Sequence, residues 1–213
     1  MVTDRFIQIC PSRTGSSSIK TLLYTLAREG KVTMIDRVPH TSYPTNVRRY
    51  RKAGYTGNIP PVVVSVRNPW DWYVSRWWFS LGEDQLNFAP TFRGHMRCVL
   101  ERTGEAHGDL ERGTFTHAWN HVGGDNADYI RRYEDFENEA IRVWHAVMPD
   151  LVDPETWRLK LRERGHHRCG LGNLGIPHEP YWHYYDDELQ GWVAKWDAEL
   201  IARFGYSFRE GST

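Results

Sequence analysis

Eight residues near the start of the chain have the types and order needed to hold an anion: Pro11-Ser12-Arg13-Thr14-Gly15-Ser16-Ser17-Ser18. Gly15 lets the main chain approach a ligand closely, Arg13 brings a full positive charge, and the serines bring hydroxyl donors. If this segment leaves a strand and enters a helix, the unpaired N–H groups of the first helical turn add partial positive charge, and the whole cradles a phosphate. A serine-capped turn between strand and helix is the plainer use of the same residues. The segment is not a Walker A loop, because the glycine that should precede Gly15 and the lysine that should follow it are both missing. An ordinary ATPase or kinase is therefore disfavoured. A second run with chemical content is Val66-Arg67-Asn68-Pro69-Trp70-Asp71-Trp72-Tyr73-Val74-Ser75. Pro69 suits the first turn of a helix, where no N–H donor is needed. Arg67 and Asp71 stand at the spacing of a local ion pair.

These residues need elements to place them. Phe6 to Cys10 reads as a short buried strand, and Ile19, Leu22, Leu23 and Leu26 fall at helical spacing with Gly30 as the stop. The opening unit is thus strand, polar loop, helix. Val32 to Ile35 reads as a second strand and Val47 to Lys52 as a basic helix. Pro61 to Val66 is the strongest strand, an unalternating β-branched run that suits a parallel strand covered on both faces. Helices are expected over Asp71 to Leu81, Phe92 to Arg102 and Phe136 to Val147, with a strand over Ala127 to Arg132. Residues 103–126 read as a Gly-, His- and Asp-rich loop. Residues 153–180 read as a charged helix followed by a loop, and Glu188 to Phe204 as one closing amphipathic helix. Strands alternating with helices predict a parallel α/β sheet, and no linker divides residues 1–213, so a single domain is expected.

With these elements in register, both runs resemble the nucleotide-binding motifs of the PAPS-dependent sulfotransferases, which take a sulfuryl group from 3′-phosphoadenosine 5′-phosphosulfate. Pro11 to Ser17 is similar to the family's 5′-phosphosulfate loop, with one residue inserted after the proline and Arg13 in place of lysine. Val66 to Ser75 is similar to its 3′-phosphate motif. Tyr129-Ile130-Arg131-Arg132-Tyr133-Glu134-Asp135-Phe136 looks like its strand-end Y-E-D element. Tyr184 to Leu189 and Phe204 to Phe208 look like its closing segments. The matches run in the family's order over residues 6–208, and the short carbohydrate-type and microbial members are the nearest in pattern. The resemblance implies a P-loop NTPase-like sulfotransferase fold, a three-layer α/β/α architecture with a central, mainly parallel sheet. It implies that Arg13, Thr14, Gly15, Ser16, Ser17 and Ser18 bind the 5′ side of the nucleotide, that Arg67 and Ser75 hold the 3′-phosphate, and that Tyr133 lies near the adenine. Arginine cannot protonate a leaving group, but at Arg13 it can neutralise charge building on the departing phosphate. The family uses His or Glu as base. His40, 27 residues before Arg67, takes that place, and histidine's ordinary pKa of about 6.5 suits the task. Glu83 or Asp84 is the fallback. The family's late phosphate loop has no clear counterpart, and Arg162 to Arg168 or Gly170 to His178 would have to supply it.

Composition sets limits around this reading. The 213 residues carry 27 basic and 27 acidic side chains, so a nucleic-acid partner is not expected and any cationic site must be local. Three cysteines are too few for a disulfide framework, no apolar run reaches membrane-spanning length, and no signal peptide is visible; a cytoplasmic, reducing setting is the expectation. His117 and His121 have metal-like spacing, and His166, His167 and Cys169 cluster, but sulfuryl transfer needs no metal and none is expected. The acceptor is unnamed: a small molecule or a glycan, with Trp77, Trp78, Trp119, Tyr181 and Trp182 suited equally to sugar stacking and to core packing. The competing readings are a P-loop nucleotide kinase and a nucleotide-binding module without catalysis.

Overall fold

The computed structural model describes residues 1–38, 40–82, 89–102, 114–150, 153–163 and 178–209. The chain divides into two compact units, Met1–Val66 with Trp119–His167, and Arg67–Ala118 with Arg168–Thr213.

The first unit carries the sheet. Its strands are β1 (Val2–Thr3), β2 (Ile7–Ile9), β3 (Met34–Asp36), β4 (Val62–Val66) and β5 (Tyr129–Arg132), in the order β3-β1-β2-β4-β5. β2, β4 and β5 run parallel, with Ile7 opposite Val62 and Val64 opposite Ile130. β1 is antiparallel to both its neighbours. Of the parallel strands β4 is the one read as a β-branched run, and every residue of it is buried. Helix α1 (Ser16–Arg28) follows β2, and α2 (Tyr43–Lys52) follows β3. Helices α6 (Phe136–Val147) and α7 (Pro154–Glu163) follow β5. Ile19, Leu22, Leu23 and Leu26 of α1 pack with Val63, Phe136, Trp144 and Trp157 in one core, which explains the apolar stripe at helical spacing.

The second unit is helical: α3 (Pro69–Gly82), α4 (Phe92–Arg102), a 3₁₀ turn over Tyr181–Tyr184, α8 (Asp187–Trp196) and α9 (Ala198–Phe204). The boundary between units falls inside α5 (Phe115–Val122). A mixed sheet with a parallel centre and flanking helices is the expected α/β class.

Three local expectations are corrected. β1 precedes the strand read as first; two residues are too few to show a period. Helix α5 lies in the stretch read as loop. It is held by its buried residues Phe115, Ala118, Trp119 and Val122, one face at i, i+3, i+4 and i+7. The closing helix is two helices broken at Asp197, whose buried carboxylate accepts from Tyr73 Oη (2.8 Å) and from Thr116 N (2.6 Å) and Oγ1 (2.7 Å). A carboxylate committed to three donors outside its own helix fixes the bend there, and burial pushes its pKa up.

Candidate functional site

The loop after β2 is built from its own polar groups and from β5. Arg13 and Gly15 both sit in the left-handed region, at φ 66° and φ 84°. For Arg13 this is an uncommon backbone, and it leaves the loop folded tightly before the helix. Thr14 is buried, and its hydroxyl donates to Pro11 O at 2.7 Å, tying the loop to itself. From below, Arg131 Nη2 donates to Thr14 O at 2.6 Å. Gly15 is required twice over: by its positive φ, and because a Cβ there would lie 2.7 Å from the Phe136 ring.

Helix α1 then starts at Ser16 with no side chain capping it and no acidic residue in its first turn. Its N-terminus therefore keeps its partial positive charge directed at the loop. Ser17 is exposed, and Arg13, Ser16 and Ser18 are half-buried. The serine cap of the plainer reading does not form, because the cap position falls on Gly15 and the three serines occupy the first helical turn.

His40 is brought to this loop from 24 residues away. Its Nδ1 lies 2.7 Å from Cys10 O and its Nε2 3.4 Å from Ser16 Oγ. A carbonyl oxygen only accepts, so Nδ1 carries the hydrogen and Nε2 is the acceptor nitrogen. The ring is exposed. In the neutral ring the acceptor nitrogen lies beside the Ser16 hydroxyl, in the first turn of α1.

The 3′-type motif lies in the second unit. β4 ends at Val66, and the chain passes through Arg67 and Asn68 into α3. Asn68 Oδ1 accepts from Trp70 N at 3.1 Å, which starts the helix. Arg67 is buried; its Nε donates to Asp71 Oδ2 at 2.7 Å and its Nη1 to Ser75 Oγ at 2.9 Å. The local ion pair and the Arg–Ser pairing thus exist together, along one face of the helix. Ser75 is also buried. His178 approaches the same cluster, with Nε2 3.9 Å from Asp71 Oδ1 and its ring edge-on to Trp78. In the sequence His178 stood only at the end of the Gly170 to His178 segment offered for the late phosphate loop, and nothing in that segment pointed to Asp71.

Tyr133 extends the strand pairing, its N–H donating to Val66 O at 2.9 Å, and its half-buried ring meets Phe136 edge-on. Asp135 occupies the cap position of α6 without a side-chain capping bond. Glu83, Asp84, residues 164–168 and residues 170–177 lie outside the described residues, and so do His166, His167 and Cys169. Among the described residues no group of three His, Cys, Asp or Glu side chains is placed to hold a metal. The aromatic candidates separate by burial: Trp77 and Trp119 are core, whereas Trp78, Tyr181 and Trp182 are half-buried. Trp119 also packs over Gly124 and donates to Asp125 at 3.0 Å, which leaves it no face for a sugar. Sequence reasoning also gave no role to Arg131, a fully buried cation beneath the loop. The signal was a charged side chain inside a segment that reads as a strand.

A mixed sheet with a parallel centre, a glycine-turned loop ahead of a bare helix N-terminus, and an arginine immediately after the neighbouring parallel strand define an α/β fold of the sulfotransferase kind. The structure is similar to that of mouse sulfotransferase SULT7A1 complexed with PAP, at a TM-score of 0.59 and 14% sequence identity, covering 92% of this chain and 84% of that one. No family model matches the chain, and no curated protein matches it in sequence. No helix among the described residues is long and apolar enough to cross a membrane.

Proposed function

We propose that this protein is a PAPS-dependent sulfotransferase that moves the sulfuryl group from PAPS to a hydroxyl or amine of a small-molecule or glycan acceptor and releases PAP. The reading takes residues 1–213 as one catalytic domain, in a cytoplasmic setting and with no metal in the reaction. The observation that carries it is the buried Arg67–Ser75 pair at the start of α3: the 3′-phosphate distinguishes PAPS from other adenine nucleotides, and this motif is the one that would read it. The likeness of the fold to a PAP-bound sulfotransferase supports the same assignment.

In this reading Arg13, Thr14, Gly15 and the first turn of α1 hold the 5′ end, Arg67 and Ser75 the 3′-phosphate, and Tyr133 the adenine. His40 Nε2 takes the proton from the acceptor as the acceptor's oxygen or nitrogen bonds to sulfur. The bond between sulfur and the phosphate oxygen breaks, and Arg13 and the helix N-terminus neutralise the charge that collects on the departing phosphate. Turnover of PAPS with a panel of alcohols, sugars and amines, followed by PAP release in buffer containing a chelator, tests the proposal. Acceptor-dependent PAP release is the expected result. PAP bound tightly with no turnover on any acceptor would favour a nucleotide-binding module, and turnover of ATP with magnesium would favour a kinase.

A further inference from the structure

Arg131 is out of place by the ordinary rules for strands. It lies in β5, at the edge of the sheet, yet it is 0% exposed. Burying a guanidinium is costly unless a carboxylate compensates it. Among the described residues no carboxylate lies within ion-pair distance of it; those of Glu134 and Glu139 act only from further away, and burial lowers its pKa. Glu139 is instead committed to Arg142 and to Arg132 N. What Arg131 touches is the floor of the loop. Its Nε and Nη2 donate to Ser65 Oγ at 3.2 and 2.8 Å, and Nη2 donates also to Thr14 O. Its guanidinium stacks on the Phe136 ring, 4.4 Å from the centroid. A Cβ on Gly15 would lie 3.3 Å from Nη2, so the charge sits directly beneath the glycine turn. Nη1 is buried and has no hydrogen-bond partner among the described residues.

Neutral donors would satisfy a carbonyl and a serine hydroxyl as well as a guanidinium does. The full charge is accounted for only by a negative charge that arrives above it. We infer that Arg131 is a positioning residue for the 5′-phosphate side of the nucleotide: it fixes the Thr14 carbonyl, and through it the left-handed turns at Arg13 and Gly15, and its uncompensated charge beneath the loop favours the anion bound over it. Arg13 would then be the cation in reach of the departing phosphate, and Arg131 the one that shapes and charges the cradle without touching the ligand. The inference rests on the nucleotide reading above.

Calorimetric binding of two nucleotides tests it. PAP carries both phosphates, whereas adenosine 3′-monophosphate lacks the one at the 5′ position, so the ratio of their affinities isolates the 5′ site. In Arg131→Met that ratio is expected to fall by about tenfold or more, the scale of losing one charge-assisted interaction, with the affinity for adenosine 3′-monophosphate changed by no more than about twofold. A merely structural role would weaken both nucleotides alike and leave the ratio at the wild-type value, and that result overturns the inference. If the methionine variant does not fold, Arg131→Lys gives the same readout. It keeps the charge but loses the planar fork spanning Ser65 and Thr14, so a partial fall of about threefold is expected, and an unchanged ratio counts against the inference. Wild-type protein that binds PAP no better than adenosine 3′-monophosphate would overturn the 5′-site reading itself, and Arg131's role with it. Wild-type discrimination retained in the variants overturns the role of Arg131 alone.

Discussion

At the scale of single residues, the two groups assigned to the chemistry are separable because they act on different partners. In the proposed reaction Arg13 faces charge on the departing phosphate, so Arg13→Ala is expected to lower kcat by about a hundredfold, the cost of one transition-state donor. Arg13→Lys should recover much of that loss, because a lysine also neutralises phosphate charge, though as a point charge rather than a fork. Unchanged kcat in the alanine variant would mean that another cation does this work. In the same proposal His40 acts on the acceptor instead. Its Nδ1 is committed to Cys10 O, so only neutral Nε2 can take a proton, and activity should rise with pH through an ascending limb in the histidine range. In His40→Ala that limb should vanish and kcat should fall, while PAP affinity stays the same by titration. A variant that keeps both the rate and the limb would rule His40 out as base. Gly15→Ala combines an unfavourable φ with a contact 2.7 Å from Phe136. It should lower stability by about 1–2 kcal/mol in denaturant unfolding, and more where the ring cannot yield.

At the scale of elements, buried polar groups decide how the helices sit. Asp197 ends α8 and starts α9 because its carboxylate is held by Tyr73 and Thr116. His95, on α4, gives the second unit a dependence on pH. It is buried, and desolvation together with the nearby Arg76 lowers its pKa to about 3. Between pH 3 and the ordinary histidine value the unfolded chain therefore binds the proton that the folded chain refuses. Stability from this group is complete above about pH 6.5 and is lost as the pH falls towards 3, by roughly 1.4 kcal/mol per pH unit. Urea midpoints between pH 7 and pH 5 should drop more steeply in the wild type than in His95→Leu, which has nothing to protonate. Equal slopes would mean that His95 is protonated in the fold.

At the scale of the whole molecule, ligand and stability are linked by mass action. PAP at a hundred times its dissociation constant should stabilise the folded chain by about 2.7 kcal/mol. In a chain of this length that raises Tm by roughly 5–10 °C, with no metal added. AMP, which lacks the 3′-phosphate, should raise it far less. Equal shifts would remove Arg67 and Ser75 from the binding site. With 27 basic against 27 acidic residues, net charge supplies no attraction for an anion, so the proposed nucleotide binding depends on individual cations.

The sequence by itself determined the order of strand, loop and helix around Gly15, the buried run of β4, the register of Arg67 with Ser75, and the limits of α4 and α6. All of these are local. Helical spacing, β-branching, a glycine at a turn and a proline at a helix start act within a few residues, so they can be read along the chain. The helix expected over Glu188 to Phe204 failed because its break depends on Tyr73 and Thr116, far off in the chain. The pairing of His40 with the α1 N-terminus, the tautomer set by Cys10 O, the approach of His178 to Asp71 and the place of Arg131 under Thr14 were decided by tertiary structure alone. Each joins side chains on separate elements, and hydrogen bonds made across a fold leave no period in the sequence.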